Sequence, residues 1–248
     1  MNGEKIAVFG DYDVDGITST VLLYDYFKKQ GAYVLYYIPT REEGYGLHWD
    51  AICQAADQGV QLIVTVDTGI AAIDEVQRAK DLGIDFVVTD HHQPGENLPN
   101  ALAVVDPHRS DCESEFKEFA GVGVAFMLLC ALSGDSETML NRYGDLLALG
   151  TLADMMSLTG FNRDLMRRCL LLLEESARPG LVALRKVAGL LDKTMSVSNV
   201  SFGLAPRLNA AGRMADPELA LRLLLCDDEE ECDQLAADIQ NLNVQRQQ

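Results

Sequence analysis

Short apolar runs alternate with segments of helical periodicity along the first half of the chain. Five of the runs are rich in β-branched and aromatic residues and have the length of strands. They cover residues 5–9, 33–39, 62–67, 85–90 and 101–107. The segments that follow Gly16, His48, Ala71 and Gly121 have the pattern of helices. Such a βαβ series predicts an α/β fold with a parallel five-stranded sheet and helices on both faces.

The second half of the chain has a different pattern. From about residue 133 onward we find helical stretches and no convincing strand. We therefore divide the chain into residues 1–132, an α/β unit, residues 133–226, a mainly helical region, and residues 227–248, an amphipathic helix. Asp227, with Glu230 three residues later, is the candidate N-cap of that last helix.

Composition limits the classes of function. The chain has 248 residues, with 20 Lys and Arg against 38 Asp and Glu, which gives a net charge of −18. This balance argues against bulk attraction to nucleic acid or anionic membrane, so a phosphate substrate must be held locally by metal ions or placed arginines. No apolar run reaches the ~20 residues of a membrane span, and the start lacks a signal-peptide pattern. We expect a cytoplasmic protein without membrane contact.

Polar side chains gather where the predicted strands stop. Four of the five predicted strands have such residues at their ends. These are Asp11, Asp13 and Asp15 after the first strand, Asp67 at the third, Asp90, His91 and His92 at the fourth, and Asp106, His108 and Arg109 at the fifth. A single Asp at a strand end is more often a turn former or a helix N-cap than a ligand. Because parallel strands bring their carboxyl ends to one edge of a sheet, four such ends together favour a functional site.

Asp154 is a further candidate, in the apolar stretch LLALGTLADMM. A carboxylate in such surroundings either faces solvent from a helix or pairs with a cation, and the pattern leaves both open. Oxygen ligands with one or two imidazoles suit Mn²⁺ or Mg²⁺ better than zinc or copper. Two divalent cations would explain why so many aspartates accumulate without neighbouring basic residues.

Eight ordered motifs carry a family resemblance that covers nearly the whole chain. GDYDVDGITST, VTVDTGI, VTDHHQP and LGTLAD resemble motifs one to four of the DHH phosphoesterase family. IPTREEGYGL, AVVDPHR, GVGVAF and APRLNAAGR are similar to segments of the RecJ-type single-strand-specific DNA exonucleases. The resemblance implies a Rossmann-like DHH domain followed by a helical part of the same core.

The resemblance also implies a ligand set for two metals. Asp13 and Asp67, with Asp11 as a further contributor, match the ligands of one ion. Asp15, Asp67, His91 and Asp154 match those of the other, so that Asp67 bridges the two and has a catalytic role. Asp90 would orient the ligands. His92 matches a histidine directed at the scissile phosphate, and its alternative role is to orient the metal site.

The arginines form a second group of candidates. Arg41, Arg109, Arg207 and Arg213 lie in motif segments with Gly, Pro or Asn that read as loops, where a planar guanidinium can reach a phosphate. As a group, Arg41, Tyr45, Arg109, Arg207, Asn209 and Arg213 are our candidates for DNA or phosphate binding. Trp49 could stack on bases as Tyr45 could, but core packing is favoured for Trp49.

The function implied by the resemblance is a metal-dependent 5′-to-3′ exonuclease that degrades single-stranded DNA to mononucleotides in DNA repair and recombination. In such proteins the two-metal centre generates a hydroxide that attacks the phosphodiester in line. The implied partners are a C-terminal DHH-associated domain, whose motif we do not find in this chain, a single-strand-binding protein and a helicase.

Two other functions stay open at this point. A DHH-family phosphodiesterase of oligonucleotides or cyclic dinucleotides would use the same metal centre, and a non-catalytic DHH scaffold would have lost ligands. The intact ligand set argues against the scaffold. The exonuclease-like loop motifs argue against the short-substrate enzyme, which a length series of labelled DNA and RNA would identify.

Overall fold

A parallel sheet forms the centre of the first half of the chain, as the sequence predicts. The computed structural model describes residues 3–248. Its strands are β1 (Ile6–Phe9), β2 (Val34–Tyr37), β3 (Leu62–Val66), β4 (Asp85–Thr89) and β5 (Ala103–Val105). They pair in parallel in the order β2-β1-β3-β4-β5. The order reverses between β1 and β3, and ligands of open α/β sheets bind at such a switch point, beyond the carboxyl ends of the strands.

Helices cover both faces of this sheet. The bounds are α1 (Val14–Lys29), α2 (Trp49–Asp57), α3 (Ile73–Ala79) and α4 (Gly121–Ser133). α1 and α4 pack on one face, with Val8 and Val64 in the shared core. α2 and α3 contribute to a second core on the other face, around Ile63 and Phe86. This alternation of strand side chains between two apolar layers explains why the strands read as continuous hydrophobic runs.

Helices dominate residues 136–248. They are α5 (Ser136–Ala153), α6 (Gly160–Glu174), α7 (Pro179–Val187), α8 (Ala205–Met214), α9 (Glu218–Leu225) and α10 (Glu229–Gln247). α5 packs on α1 and α4, and the core of that sheet face continues through it into α6 to α10. Among residues 3–248, no helix combines the length and apolar character that crossing a membrane requires.

Two expectations about local structure are wrong. The segment with Arg207, Asn209 and Arg213 is not a loop but helix α8, which continues from a π-helical turn at Asn199–Leu204. Pro206 lies in the first turn of α8, directly after the π-helical turn. Packing against α10 outweighs the low helix propensity of Asn and Gly.

The N-cap of the last helix is the second correction. Asp228, not Asp227, caps α10 by accepting a hydrogen bond from the Glu231 backbone N–H at 2.8 Å. Both Asp227 and Asp228 fit the capping pattern of an acidic residue three positions before a Glu, because the segment holds five acidic residues in a row. The backbone conformation at Asp228 decides between them.

Candidate metal centre

The loop between β1 and α1 places the first two aspartates of the candidate centre. Asp13 is the N-cap of α1, and its Oδ1 accepts hydrogen bonds from the backbone N–H groups of Asp15 and Gly16 at 2.9 and 3.0 Å. Asp11 is buried, and its Oδ1 has no hydrogen-bond partner among residues 3–248. Asp13 therefore has the capping role that is usual for an Asp here, and its second oxygen is left for the centre.

Asp15 lies in the first turn of α1 and is held by the N-terminus of another helix. The backbone N–H groups of Gly121 and Val122, the first residues of α4, donate to its two carboxylate oxygens at 2.6 and 2.9 Å. An anion at a helix N-terminus is stabilised by unpaired amides and by the helix dipole. Sequence reasoning missed these two donors, although the GVGVAF motif contains them.

Asp67 follows β3 with a left-handed backbone, at φ 59°. This conformation is strained for a residue other than glycine, and such strain is common at functional sites. A Cβ added to Gly121 would lie 2.5 Å from the Asp67 Cβ and 2.7 Å from its Oδ1. The missing side chain of Gly121 thus makes room for Asp67 at the N-terminus of α4.

His91 connects the ligands that come from distant parts of the chain. Its Nε2 lies 3.0 Å from Asp67 Oδ1 and 3.9 Å from both Asp15 Oδ2 and Asp154 Oδ2. Burial lowers the pKa of His91 to about 4, so the imidazole is neutral at pH 7 and can offer a lone pair to a cation. Asp154 is the C-cap of α5, with 29% of its side chain exposed, and the structure brings it into the cluster.

His92 faces the same edge of the sheet with a different set of neighbours. Its Nδ1 lies 2.7 Å from Oδ1 of the buried Asp90, and this bond raises the pKa of His92. Hydrogen bonds, first of all that from His92, outweigh burial and lower the pKa of Asp90. The Tyr45 hydroxyl is 3.1 Å from His92 Nδ1 and donates to the Asp67 carbonyl oxygen at 3.3 Å. Asp90 thus holds the ring so that Nε2 is the free nitrogen of His92.

The aspartates of the cluster repel one another. Burial, with the charge of Asp13, raises the pKa of Asp11 to about 7 and that of Asp154 to about 6. Burial and neighbouring carboxylates also raise the pKa of Asp15 and Asp67 well above the usual range. Three groups have ligand atoms within 4.8 Å of one another: Asp11, Asp13 and Asp67; Asp15, His91 and Asp154; and Asp67, His91 and His92. The cluster contains more carboxylates than basic groups, and Asp11 Oδ1 is buried without a hydrogen-bond partner in the described part of the chain. Hard oxygen ligands of this kind fit divalent cations.

The end of the fifth strand lies near this cluster but adds no ligand atom to it. Asp106 Oδ1 accepts from the His108 backbone N–H at 2.6 Å, and burial raises the pKa of Asp106 to about 6. Neither residue belongs to the three groups of close ligand atoms. The side chain of Arg109 turns to Asp111, with Nη2 and Oδ2 2.6 Å apart, and also donates to the Val104 carbonyl.

The other DNA-binding candidates occupy the surroundings of the centre. Arg41 is exposed, with its guanidinium 5.6 Å from the centre of the Tyr12 ring. α8 approaches the same loop, because a Cβ on Gly212 would lie 2.8 Å from the Tyr12 carbonyl oxygen. Arg213, next to Gly212, is exposed, and Asn209 is half-buried.

Arg207 and Trp49 have structural contacts instead. Arg207 donates from Nε to Gln240 Oε1 at 2.7 Å and from Nη1 to the Gly203 carbonyl, which links α8 to α10. Trp49 packs on the core around Ile63, with the Arg78 guanidinium 3.8 Å above its ring. The favoured core role of Trp49 agrees with this packing.

The fold and these motifs place the chain in a known class. Residues 5–151 match the model of the DHH family, N-terminal domain. The chain belongs to the DHH family.

Among curated proteins, the chain is similar to single-stranded-DNA-specific exonucleases named RecJ. It is 45% identical to that of Bacillus subtilis (strain 168) over 245 residues, which are 98% of this chain and 31% of the relative. It is 41% identical to that of Escherichia coli (strain K12) over 99% of this chain and 45% of the relative. The chain thus spans less than half the length of either relative.

Solved structures extend the likeness to three dimensions. A crystal structure of exonuclease RecJ bound to manganese superposes with a TM-score of 0.90 at 39% identity, over 99% of this chain and 62% of that one. RecJ from Thermus thermophilus in complex with Mn²⁺ has a TM-score of 0.86 at 37% identity, over 99% of this chain and 36% of that one. The observed fold agrees with the predicted α/β fold and its helical continuation.

Proposed function

We propose that this chain is the catalytic core of a metal-dependent exonuclease that hydrolyses phosphodiester bonds of single-stranded DNA. The observation that carries the proposal is the convergence of five aspartates and His91 at the switch point of the sheet, with ligand atoms within 4.8 Å in each group. Similarity to the RecJ exonucleases supports single-stranded DNA as the substrate. By the same resemblance, digestion runs 5′ to 3′ and yields mononucleotides.

Two divalent cations, Mn²⁺ in preference to Mg²⁺, are the cofactors of this proposal. Asp11, Asp13 and Asp67 would hold one ion, and Asp15, Asp67, His91 and Asp154 the other. When bound, the ions supply Lewis-acid stabilisation of the phosphate oxygens and lower the pKa of an attacking water. Crystal structures of RecJ bound to manganese and in complex with Mg²⁺ support this choice of metals.

The chain's own residues have distinct tasks in this site. Asp67 joins the two ligand groups from its left-handed backbone position, and neutral His91 is ready to bind without losing a proton. His92, held at Nδ1 by Asp90, directs Nε2 and its proton towards the scissile phosphate as a charge stabiliser or proton donor. Asp90 acts through His92 as a positioning residue.

DNA binding in an acidic protein requires local cations. Arg41 and Arg213 are exposed beside the Tyr12 loop and are the arginines best placed to contact the DNA backbone. Arg109 and Arg207 would first have to leave their present partners. The protein acts in DNA repair and recombination in the cytoplasm, together with a C-terminal DHH-associated domain, a single-strand-binding protein and a helicase.

The direct test is a digestion assay with strands labelled at either end. With Mn²⁺ and a C-terminal DHH-associated domain joined to the chain, we expect mononucleotides to be released from the 5′ end of single strands, and duplexes to resist. The chain alone should be much slower, because lost substrate positioning costs orders of magnitude. Equal cleavage of duplex and single strands would contradict the proposal. Preference for di- to tetranucleotides would indicate the oligonucleotide phosphodiesterase instead.

A further inference from the structure

A cavity lies beside the candidate metal centre, and its lining contains none of the six candidate metal ligands. It has a volume of about 320 Å³ and lies between the segment Tyr45 to Leu47 and the loop of residues 68–72, with His92 and Gln93 on its wall. Ligand pockets in proteins begin at about 300 Å³. The cavity is therefore large enough for a nucleobase with its sugar.

Apart from His92 at its edge, the lining of this cavity offers no cationic side chain to a phosphate. It contains no Lys or Arg, and its two carboxylates belong to Asp90, which is bonded to His92, and to the half-buried Glu75. Leu47, Ile70 and Ala71 provide apolar walls. An uncharged, flat group fits such a lining better than an anion does, and a carboxylate such as that of Glu75 can accept from the exocyclic amino group of a base.

Tyr45 joins this cavity to the reacting centre. Its side chain lines the cavity and is 52% exposed, while its hydroxyl lies 3.1 Å from His92 Nδ1 and 3.3 Å from the Asp67 carbonyl oxygen. A nucleotide whose phosphate lies at His92 would therefore have its base within reach of the Tyr45 ring. Stacking of a base on an aromatic ring tolerates every base.

We propose that this cavity is a nucleobase subsite, which holds the base of the nucleotide whose phosphate lies at His92. That DNA is the substrate rests on the proposed function. The link between the cavity and the metal centre is His92, the one residue of the cavity wall that also belongs to a group of close ligand atoms. Adenine and cytosine, which carry an exocyclic amino group, should bind better than thymine because of Glu75.

The test compares two ligands that differ only in the base. Isothermal titration of the Mn²⁺-loaded chain with deoxyadenosine 5′-monophosphate and with deoxyribose 5-phosphate should show affinity about 10-fold or more higher for the nucleotide. Ala71→Trp, at an exposed position on the wall, should fill the cavity and remove this preference without changing the affinity for the sugar phosphate. Ala131→Trp, exposed near the far end of α4, is the matched control and should keep the preference.

Each outcome decides the proposal. Equal affinity of the wild-type chain for the two ligands would overturn it, and so would a preference that survives Ala71→Trp. In the metal-free chain, deoxyadenosine should shift the backbone amide resonances of residues 68–72, and shifts confined to other regions would also count against the subsite. This measurement needs no metal, so a chain that binds the base but neither Mn²⁺ nor DNA would refute the proposed function and leave the subsite intact.

Discussion

The left-handed backbone of Asp67 and the absent side chain of Gly121 form one arrangement. Asp67, at φ 59°, fills the space where a Cβ of Gly121 would lie, and the N–H of Gly121 donates to Asp15 at 2.6 Å. One glycine therefore contacts two carboxylates of the candidate centre. Loss of this glycine should disturb both of them.

Gly121→Ala should destabilise the chain by about 1–3 kcal/mol, because the added methyl group forces Asp67 or α4 to move. Mn²⁺ affinity should fall by about 10- to 100-fold, the usual scale for a partner that orients a metal ligand. Urea unfolding and calorimetric titration measure the two effects. Gly95→Ala is the matched control, since a Cβ there has no neighbour within 4 Å. Unchanged Mn²⁺ binding in Gly121→Ala would contradict the role given to this contact.

Asp67→Ala should abolish binding of both cations, whereas Asp154→Ala should weaken mainly one. The reason is that Asp67 is grouped with Asp11 and Asp13 and also lies 3.0 Å from His91, a member of the other ligand set. Asp154, at the C-cap of α5, belongs to that other set alone. Titration with Mn²⁺, together with anomalous scattering from soaked crystals, counts the ions and locates them. Asp192→Ala, at an exposed position, should behave as the wild type. Two full sites in Asp67→Ala would disprove the bridging role.

His92→Ala should lower kcat by about 10²-fold or more, the scale for a positioned acid or charge stabiliser, with DNA affinity nearly unchanged. The measurement is single-turnover cleavage by the chain joined to a C-terminal DHH-associated domain, with Mn²⁺ titration in parallel. Asp90→Asn should give a smaller loss and lower the pKa seen in the pH–rate profile, because Asp90 raises the pKa of His92. Loss of Mn²⁺ binding in His92→Ala would move this residue into the ligand shell.

Arg213→Ala should weaken DNA binding and flatten its salt dependence by about one charge. Arg207→Ala should in addition lower the melting temperature, because Arg207 links α8 to Gln240 of α10. Binding of a labelled single strand at several salt concentrations, with thermal unfolding of each variant, separates the two effects. An unchanged salt slope in Arg213→Ala would remove this residue from the DNA path.

Without metal, the chain should become less stable as the pH rises. Carboxyl groups such as Asp11, with a pKa raised from 3.8 to about 7, hold more protons in the folded than in the unfolded chain, so the free energy of unfolding falls between about pH 4 and pH 7. Melting temperatures measured in a chelator at about pH 5 and about pH 8 give the loss of stability between the two pH values. Asp11→Asn should reduce this loss, and Mn²⁺ should reverse it. A metal-free chain that is more stable at the higher pH would refute the repulsion described for the cluster.

Sequence by itself determined the sheet and the strand-end part of the centre. Apolar runs and helical periodicity are local properties, and they placed all five strands within a few residues of their observed bounds. The carboxyl ends of parallel strands lie at a common edge, so Asp13, Asp67 and His91 could be grouped from their positions directly after predicted strands.

Tertiary packing decided what local patterns left open. Asp154 joins the centre only because α5 packs on α1 and α4, and the amides that hold Asp15 come from residues 106 and 107 positions away. The same packing makes the Asn- and Gly-containing segment around Arg207 helical, as α8, and places the Arg207 guanidinium within hydrogen-bond distance of Gln240. Propensity and spacing describe a residue and its near neighbours along the chain, whereas these contacts depend on how whole helices bury their apolar faces against each other.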